Sequence, residues 1–188
     1  MNEEIEIKVL LKNPDQVEKR LKEIGKLIKE EEQKDEYFVP KDNDFFAEHP
    51  TREYLRIRYK GDTSKLCYHY CHYDDKGELL KTDEYETEIK DPEMMATILK
   101  NLNFVKRVTV VKHRTYYEYK GFEVLIDKVD GLGCFLEVEA KENSFPSNIT
   151  VEEVRNSCYE ILKEIGAEWE HVPRGGYPDL LIRKQQLS

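Results

Sequence analysis

"EIEIK", residues 4–8, alternates strictly: Glu4, Glu6 and Lys8 fall on one side of an extended chain, Ile5 and Ile7 on the other. A period of two marks a strand with one apolar and one polar face. The pattern returns as "ETEIK" at 86–90 and as "EVEAK" at 137–141, and each copy leads toward a helix. Asn13-Pro14 supplies an N-cap and a first-turn proline ahead of Val17, Leu21 and Ile24, with a stop at Gly25. Asp91-Pro92 does the same for Met95, Ile98, Leu99 and Leu102. Thr150 and Glu153 form a capping box before Val154, Cys158, Ile161, Leu162 and Ile165, which end at Gly166.

Between these units lie further alternating, β-branched or aromatic segments: 31–39, 53–60, 65–73, 78–90, 105–119, 121–130 and the "CFLEVEAK" run. Asp75-Lys76-Gly77 reads as a hairpin turn, the Gly131 and Gly133 pair as a turn with positive φ, and 40–50 as a loop. About eight strands and three helices follow, with no Gly-, Ser- or Pro-rich linker, so residues 1–188 are expected as one domain with 170–188 as a lid or tail. The fold class is α+β: a closed eight-stranded antiparallel barrel with a charged interior and flanking helices.

Charge favours that interior holding a ligand. Arg56 and Arg58 share one side of their strand, Lys112 and Arg114 share one side of theirs, and Asp127 lies in the strand that follows. Glutamates two apart on a strand sit about 7 Å apart and repel by about 2 kcal/mol at an effective dielectric near 20. Glu4, Glu6, Glu137 and Glu139 therefore call for protonation, arginine partners or a cation, and Mg2+ suits an oxygen-only set. Lys8, Arg56, Arg58, Lys112 and Arg114 make a cationic counterpart suited to a polyphosphate.

Composition sets the bounds. The chain has 39 acidic and 30 basic residues, a formal charge of −9, which argues against non-specific nucleic-acid binding. No stretch reads as a signal peptide or a membrane span, and four cysteines in a chain of this size read as free thiols, so the expected setting is cytoplasmic with no membrane partner.

"EIEIK", "LRIR" at 55–58, the Lys112-His113-Arg114 strand and "DKVDGLGCFLEVE" at 127–139, in this order and with helices between them, resemble the CYTH family of triphosphate tunnel metalloenzymes, especially its class IV adenylate cyclase-like branch. The resemblance runs from Glu4 to about Tyr177. It implies a divalent metal, Mg2+ or Mn2+, held by Glu4, Glu6, Glu137 and Glu139. It also implies a triphosphate-containing small molecule gripped by Lys8, Arg56, Arg58, Lys112 and Arg114. Tyr37 and Asp127 are candidates for proton transfer, and a homodimer is left open.

Bacterial class IV cyclases carry a His-Phe pair four residues before their ExExK, whereas Glu4 here has three residues before it. Hydrolysis of a nucleoside, thiamine or inorganic triphosphate is therefore expected ahead of ATP cyclisation to cAMP and pyrophosphate, with a non-catalytic polyphosphate-binding module as a third reading. Where the family has a lysine in the strand aligning with "CYHYCHY", this sequence has His69 and His72. Alternating Cys67, His69 and Cys71 are read as structural and not as a zinc site, and Glu84, Glu86 and Glu88 as ion-pair partners. On this reading Arg58→Ala weakens tripolyphosphate binding far more than it lowers Tm.

Overall fold

The structure, a computed structural model, describes residues 6–75, 77, 79–140, 150–172 and 175–187. Glu4 and Lys76 lie outside the described residues. In order come β1 (Glu6–Leu11), α1 (Pro14–Ile24), β2 (Lys26–Pro40), β3 (Glu53–Lys60), β4 (Thr63–Tyr73), β5 (Leu79–Glu88), α2 (Pro92–Asn101), β6 (Phe104–Tyr119), β7 (Phe122–Val129), β8 (Gly133–Ala140), α3 (Val151–Glu164), β9 (Trp169–His171) and α4 (Tyr177–Gln186). This is an α+β protein built on an antiparallel sheet, with four α-helices among the described residues.

The closed eight-stranded barrel is not formed. The strand order is β5-β4-β3-β2-β6-β7-β8-β1-β9, nine strands running between two edges. Alternation fixes which face each strand presents but says nothing about whether the first and last strands meet. Here β1 pairs with β8 on one side and with the three-residue β9 on the other, through Val9–His171, Leu10–Glu170 and Leu11–Trp169. The side of β1 that closure would use is thus taken by a strand too short to show a period.

The chain forms two compact units: residues 1–31, 113–129 and 133–172, and residues 32–112, 130–132 and 173–188. In the first, Val17 and Leu21 of α1 and Cys158, Ile161 and Leu162 of α3 share one core cluster with Ile7, Val9, Val124, Ile126, Leu136 and Val138. These strand residues are the apolar halves of the alternating runs. Burying each such aliphatic side chain contributes about 1.5–3 kcal/mol, which fixes the strand faces and the helix positions together. The α3 capping box is present, with Thr150 Oγ1 accepting from Glu153 N and the Glu153 side chain accepting from Thr150 N.

Asn13 departs from its expected role. Its side chain makes no cap bond to α1. Instead Asn13 Oδ1 accepts from Glu168 N at 2.8 Å and Nδ2 donates to Gly166 O at 2.9 Å, tying the start of α1 to the turn after α3. Pro14 still opens the helix.

In the second unit Phe38, Ile57 and Leu99 form a buried cluster, flanked by Leu55, Leu66, Met95 and Phe104. Asp91 caps α2 by accepting from Met94 N at 2.8 Å. The unit's glycine turns are as expected: Gly77, next to a donated bond to Asp74 O, has φ 74°, and Gly131 has φ 75°.

Candidate functional site

Registry decides which charged side chains share a face. In the first unit Lys8 lies opposite Glu137 and Glu6 opposite Glu139, while β7 places Glu123 opposite Glu139 and Leu125 opposite Glu137. Directly opposed residues project from the same face, so Glu6, Glu139 and Glu123 form a row of three carboxylates across β1, β8 and β7. Glu123 was not singled out from the sequence, although its place in an alternating strand puts it on the polar side.

Beside that row is an ion-pair chain. Lys8 Nζ sits 3.0 Å from Glu137 Oε1. Arg114 Nη2 donates to the other Glu137 oxygen at 2.6 Å, and Arg114 grips Asp127 with two bonds of 2.5 Å. Asp127 is fully buried and Glu137 nearly so. Burial pulls the Lys8 pKa down, but the charges of Glu137 and Glu6 outweigh it and raise it above the ordinary lysine value. Two acids and two bases balance here. Glu6 and Glu139 face one another across the β1–β8 pair, with Lys8 near enough for its charge to act on Glu6. Their oxygen-only donors fit a hard divalent cation; Glu137 already serves Lys8 and Arg114.

The second unit gathers positive charge. Its registry sets Arg58 opposite Asp35 and Lys65, and Arg56 opposite Tyr37 and Cys67. Arg58 holds Asp35 with a planar fork, Nε to Oδ1 at 2.8 Å and Nη2 to Oδ2 at 2.7 Å. Arg56 Nη1 lies 3.8 Å from the same carboxylate and donates to Tyr37 Oη at 3.2 Å. Burial alone would raise the Asp35 pKa; Arg58, Arg56 and Lys112 together hold it below the ordinary aspartate value. Burial pushes the Tyr37 phenol up, further than Arg56 pulls it down, so Tyr37 keeps its proton at neutral pH and is no base there.

At the β4–β5 end, His69, Glu84 and Glu86 offer ligand atoms all within 4.8 Å of one another, the one such group of three among the described residues. Burial raises the Glu86 carboxyl, but bonds from Lys65 and Cys67 and the nearby cations hold it at about 2. Glu86 also lies 3.8 Å from Arg56, the pairing expected for it. Burial, aided by the Arg56 charge, pushes His69 down to about 4, so at neutral pH it carries no positive charge. Burial pushes the Cys67 thiol up to about 11, which leaves it unreactive.

The His69 shift has a pH consequence. A histidine whose folded pKa is lowered takes up its proton more readily when unfolded, so stability rises with pH through this window. Unfolding midpoints are expected to fall as pH drops from the ordinary histidine range toward about 4. His69→Gln should flatten that segment of the profile, and an unchanged slope would refute the assignment.

Of the residues picked from the sequence, Glu6, Lys8, Arg114, Asp127, Glu137 and Glu139 belong to the first unit and Tyr37, Arg56, Arg58 and Lys112 to the second. Asp35, the carboxylate the three cations share, was overlooked. It stands two residues before Tyr37, and parity alone puts it on the charged side.

The described residues define an antiparallel α+β fold whose strands carry acidic and basic side chains at alternating positions. The chain belongs to the CYTH family: the CYTH domain matches residues 2–172. A Methanocaldococcus jannaschii protein, named provisionally as an adenylate cyclase, is 34% identical over 179 residues, covering 94% of this chain and 97% of its own. The solved structure of PH1819 from Pyrococcus horikoshii is 29% identical with a TM-score of 0.76, covering 96% of this chain and 99% of that one. A Hippeastrum protein, provisionally an adenylyl cyclase and described as having a dominant triphosphatase activity, shares the fold at 20% identity and a TM-score of 0.68, over 97% of this chain and 96% of its own. No helix among the described residues is long and apolar enough to cross a membrane.

Proposed function

We propose that the protein is a divalent-metal-dependent enzyme acting on a triphosphate, and that the reaction is phosphohydrolysis. The observation that carries this is the clustering of Arg56, Arg58 and Lys112 around one buried carboxylate, Asp35. Arg56 also lies 3.8 Å from Glu86, and a cluster that gathers two arginines and a lysine suits an anion with several oxygens, since arginine forks match phosphate oxygens. In this reading Glu6 and Glu139, with Glu4 by the family resemblance, hold Mg2+ or Mn2+. Such an ion, when bound, neutralises phosphate charge and lowers the pKa of a coordinated water.

The chain's own residues then do the rest. Arg56 and Arg58 orient the phosphates and stabilise the charge that builds on the departing ones. Tyr37, protonated and held by Arg56, donates a hydrogen bond or a proton to the leaving oxygen. Asp127 keeps Arg114 fixed, and Arg114 and Lys8 hold Glu137. Hydrolysis asks for nothing beyond a phosphate grip and an oriented water, which is why it comes first. ATP cyclisation is the second reading, favoured by the name of the 34%-identical relative. Four cysteines without a disulfide fit a reducing, cytoplasmic setting for either.

One incubation separates the two. Protein is mixed with ATP, thiamine triphosphate or tripolyphosphate in Mg2+, in Mn2+ and in excess EDTA. Metal-dependent release of phosphate is the expected result. Pyrophosphate with cAMP from ATP would establish the cyclase instead, and turnover undiminished in EDTA would end the metal-dependent reading.

A further inference from the structure

We propose that α4 is a positioning element for the cationic cluster, in which Tyr177 holds Lys112 in place and Asp179 is the latch that seats Tyr177. The inference rests on the assignment of Lys112 to phosphate binding. All the groups involved lie in the second unit.

The seat of α4 is built from one carboxylate. Asp179, only 1% exposed, accepts from Thr51 Oγ1 at 2.5 Å, from Tyr54 Oη at 2.9 Å and from Gly176 N at 2.8 Å. A buried carboxylate demands such donors, and losing them leaves an uncompensated charge. It also stands in the first turn of its helix, where the dipole favours an anion. At the other end of α4, Lys184 Nζ donates to Gly131 O at 2.6 Å. The helix is therefore fixed at both ends.

Tyr177 is the first residue of this fixed helix, and its ring lies 5.1 Å from Lys112 Nζ. Both side chains are buried, at 7% and 4% exposure. A lysine has a flexible four-carbon stem, and a ring face restricts where its ammonium can sit. The same carboxylate also reaches the arginine side of the cluster: Tyr54, which donates to Asp179, packs edge-on against Tyr37 at 6.3 Å, and Tyr37 accepts from Arg56.

Calorimetric titration with tripolyphosphate tests the assignment. Tyr177→Phe, which keeps the ring, is expected to bind within about twofold of wild type, and Tyr177→Leu to bind about tenfold more weakly. In a Lys112→Ala background, Tyr177→Leu should change affinity less than about twofold, because the contact it removes is already gone. An equal loss in both backgrounds would mean a merely structural role and would overturn the proposal, as would unchanged affinity in Tyr177→Leu. Should Tyr177→Leu fail to fold, phenylalanines of increasing fluorination at this position, which keep the shape and weaken the ring quadrupole, carry the test. Graded weakening supports the proposal and a flat response overturns it. A wild-type protein that does not bind tripolyphosphate overturns the phosphate-binding assignment itself, and that result is distinguishable from any pattern among the variants.

Discussion

Arg114→Ala is expected to lower stability by about 3–5 kcal/mol, the cost of stranding a buried charge. Arg114 is the fork that satisfies both oxygens of Asp127, which has no exposure, and it also reaches Glu137 at 2.6 Å. Removing it takes two hydrogen bonds from the buried Asp127 and one from Glu137, which keeps its ion pair with Lys8. Urea unfolding should show the midpoint falling with an unchanged m-value. Arg114→Lys should recover only part of the loss, because an ammonium cannot form the two parallel bonds. A midpoint within about 0.5 kcal/mol of wild type would refute this account of the network.

The second large effect centres on Arg58. Sequence reading expects Arg58→Ala to weaken tripolyphosphate binding far more than it lowers Tm, but the structure gives Arg58 a second task, the bidentate bond to the 3%-exposed Asp35. Arg58→Ala should therefore lower stability by about 3 kcal/mol as well as weaken tripolyphosphate binding. Asp35→Asn added to Arg58→Ala separates the two roles. Stability should return while the affinity stays low, because the buried charge is gone but the phosphate fork is still missing. If stability fails to return, the Asp35 pairing is not what Arg58 contributes to the fold.

The sign of the pH dependence follows from the same pair. Asp35 has a folded pKa below its ordinary value, so its contribution is present above the usual aspartate range and is lost as pH falls through the folded pKa. Acid unfolding of Asp35→Asn should accordingly be less steep than that of wild type.

What the sequence made legible were faces, caps and turns, since these are local. Ile7 with Val9, and Glu6 with Lys8, went to opposite sides as their parity required. Asp91, Thr150 and Gly131 took the cap and turn positions their chemistry favours. Two things were not local. Strand closure depends on what occupies the outer side of β1, and that is Trp169–His171, too short to carry a pattern. The partners of charged groups depend on registry. Asp35, Glu123 and Asp179 look like ordinary surface acids in sequence and become the hub of a cluster, part of an acidic row and a buried latch only once their neighbours are fixed. Asn13 misled for the same reason, because a donor 155 residues away, Glu168 N, outcompeted its own helix.

The way the chain is divided between its units governs how it can be made. The first unit needs residues 1–31 together with 113–172, and the second needs 173–188 in addition to its central segment. A nascent chain therefore holds β1 and α1 without β7, β8 and α3, which cover their apolar sides, until α3 has emerged. The bonds from Asn13 to Gly166 and Glu168, and those from Asp179 to Thr51 and Tyr54, span most of the chain, so loop closure must precede them. Folding of the first unit in consequence waits for α3, and until then the apolar sides of β1 and α1 stay uncovered.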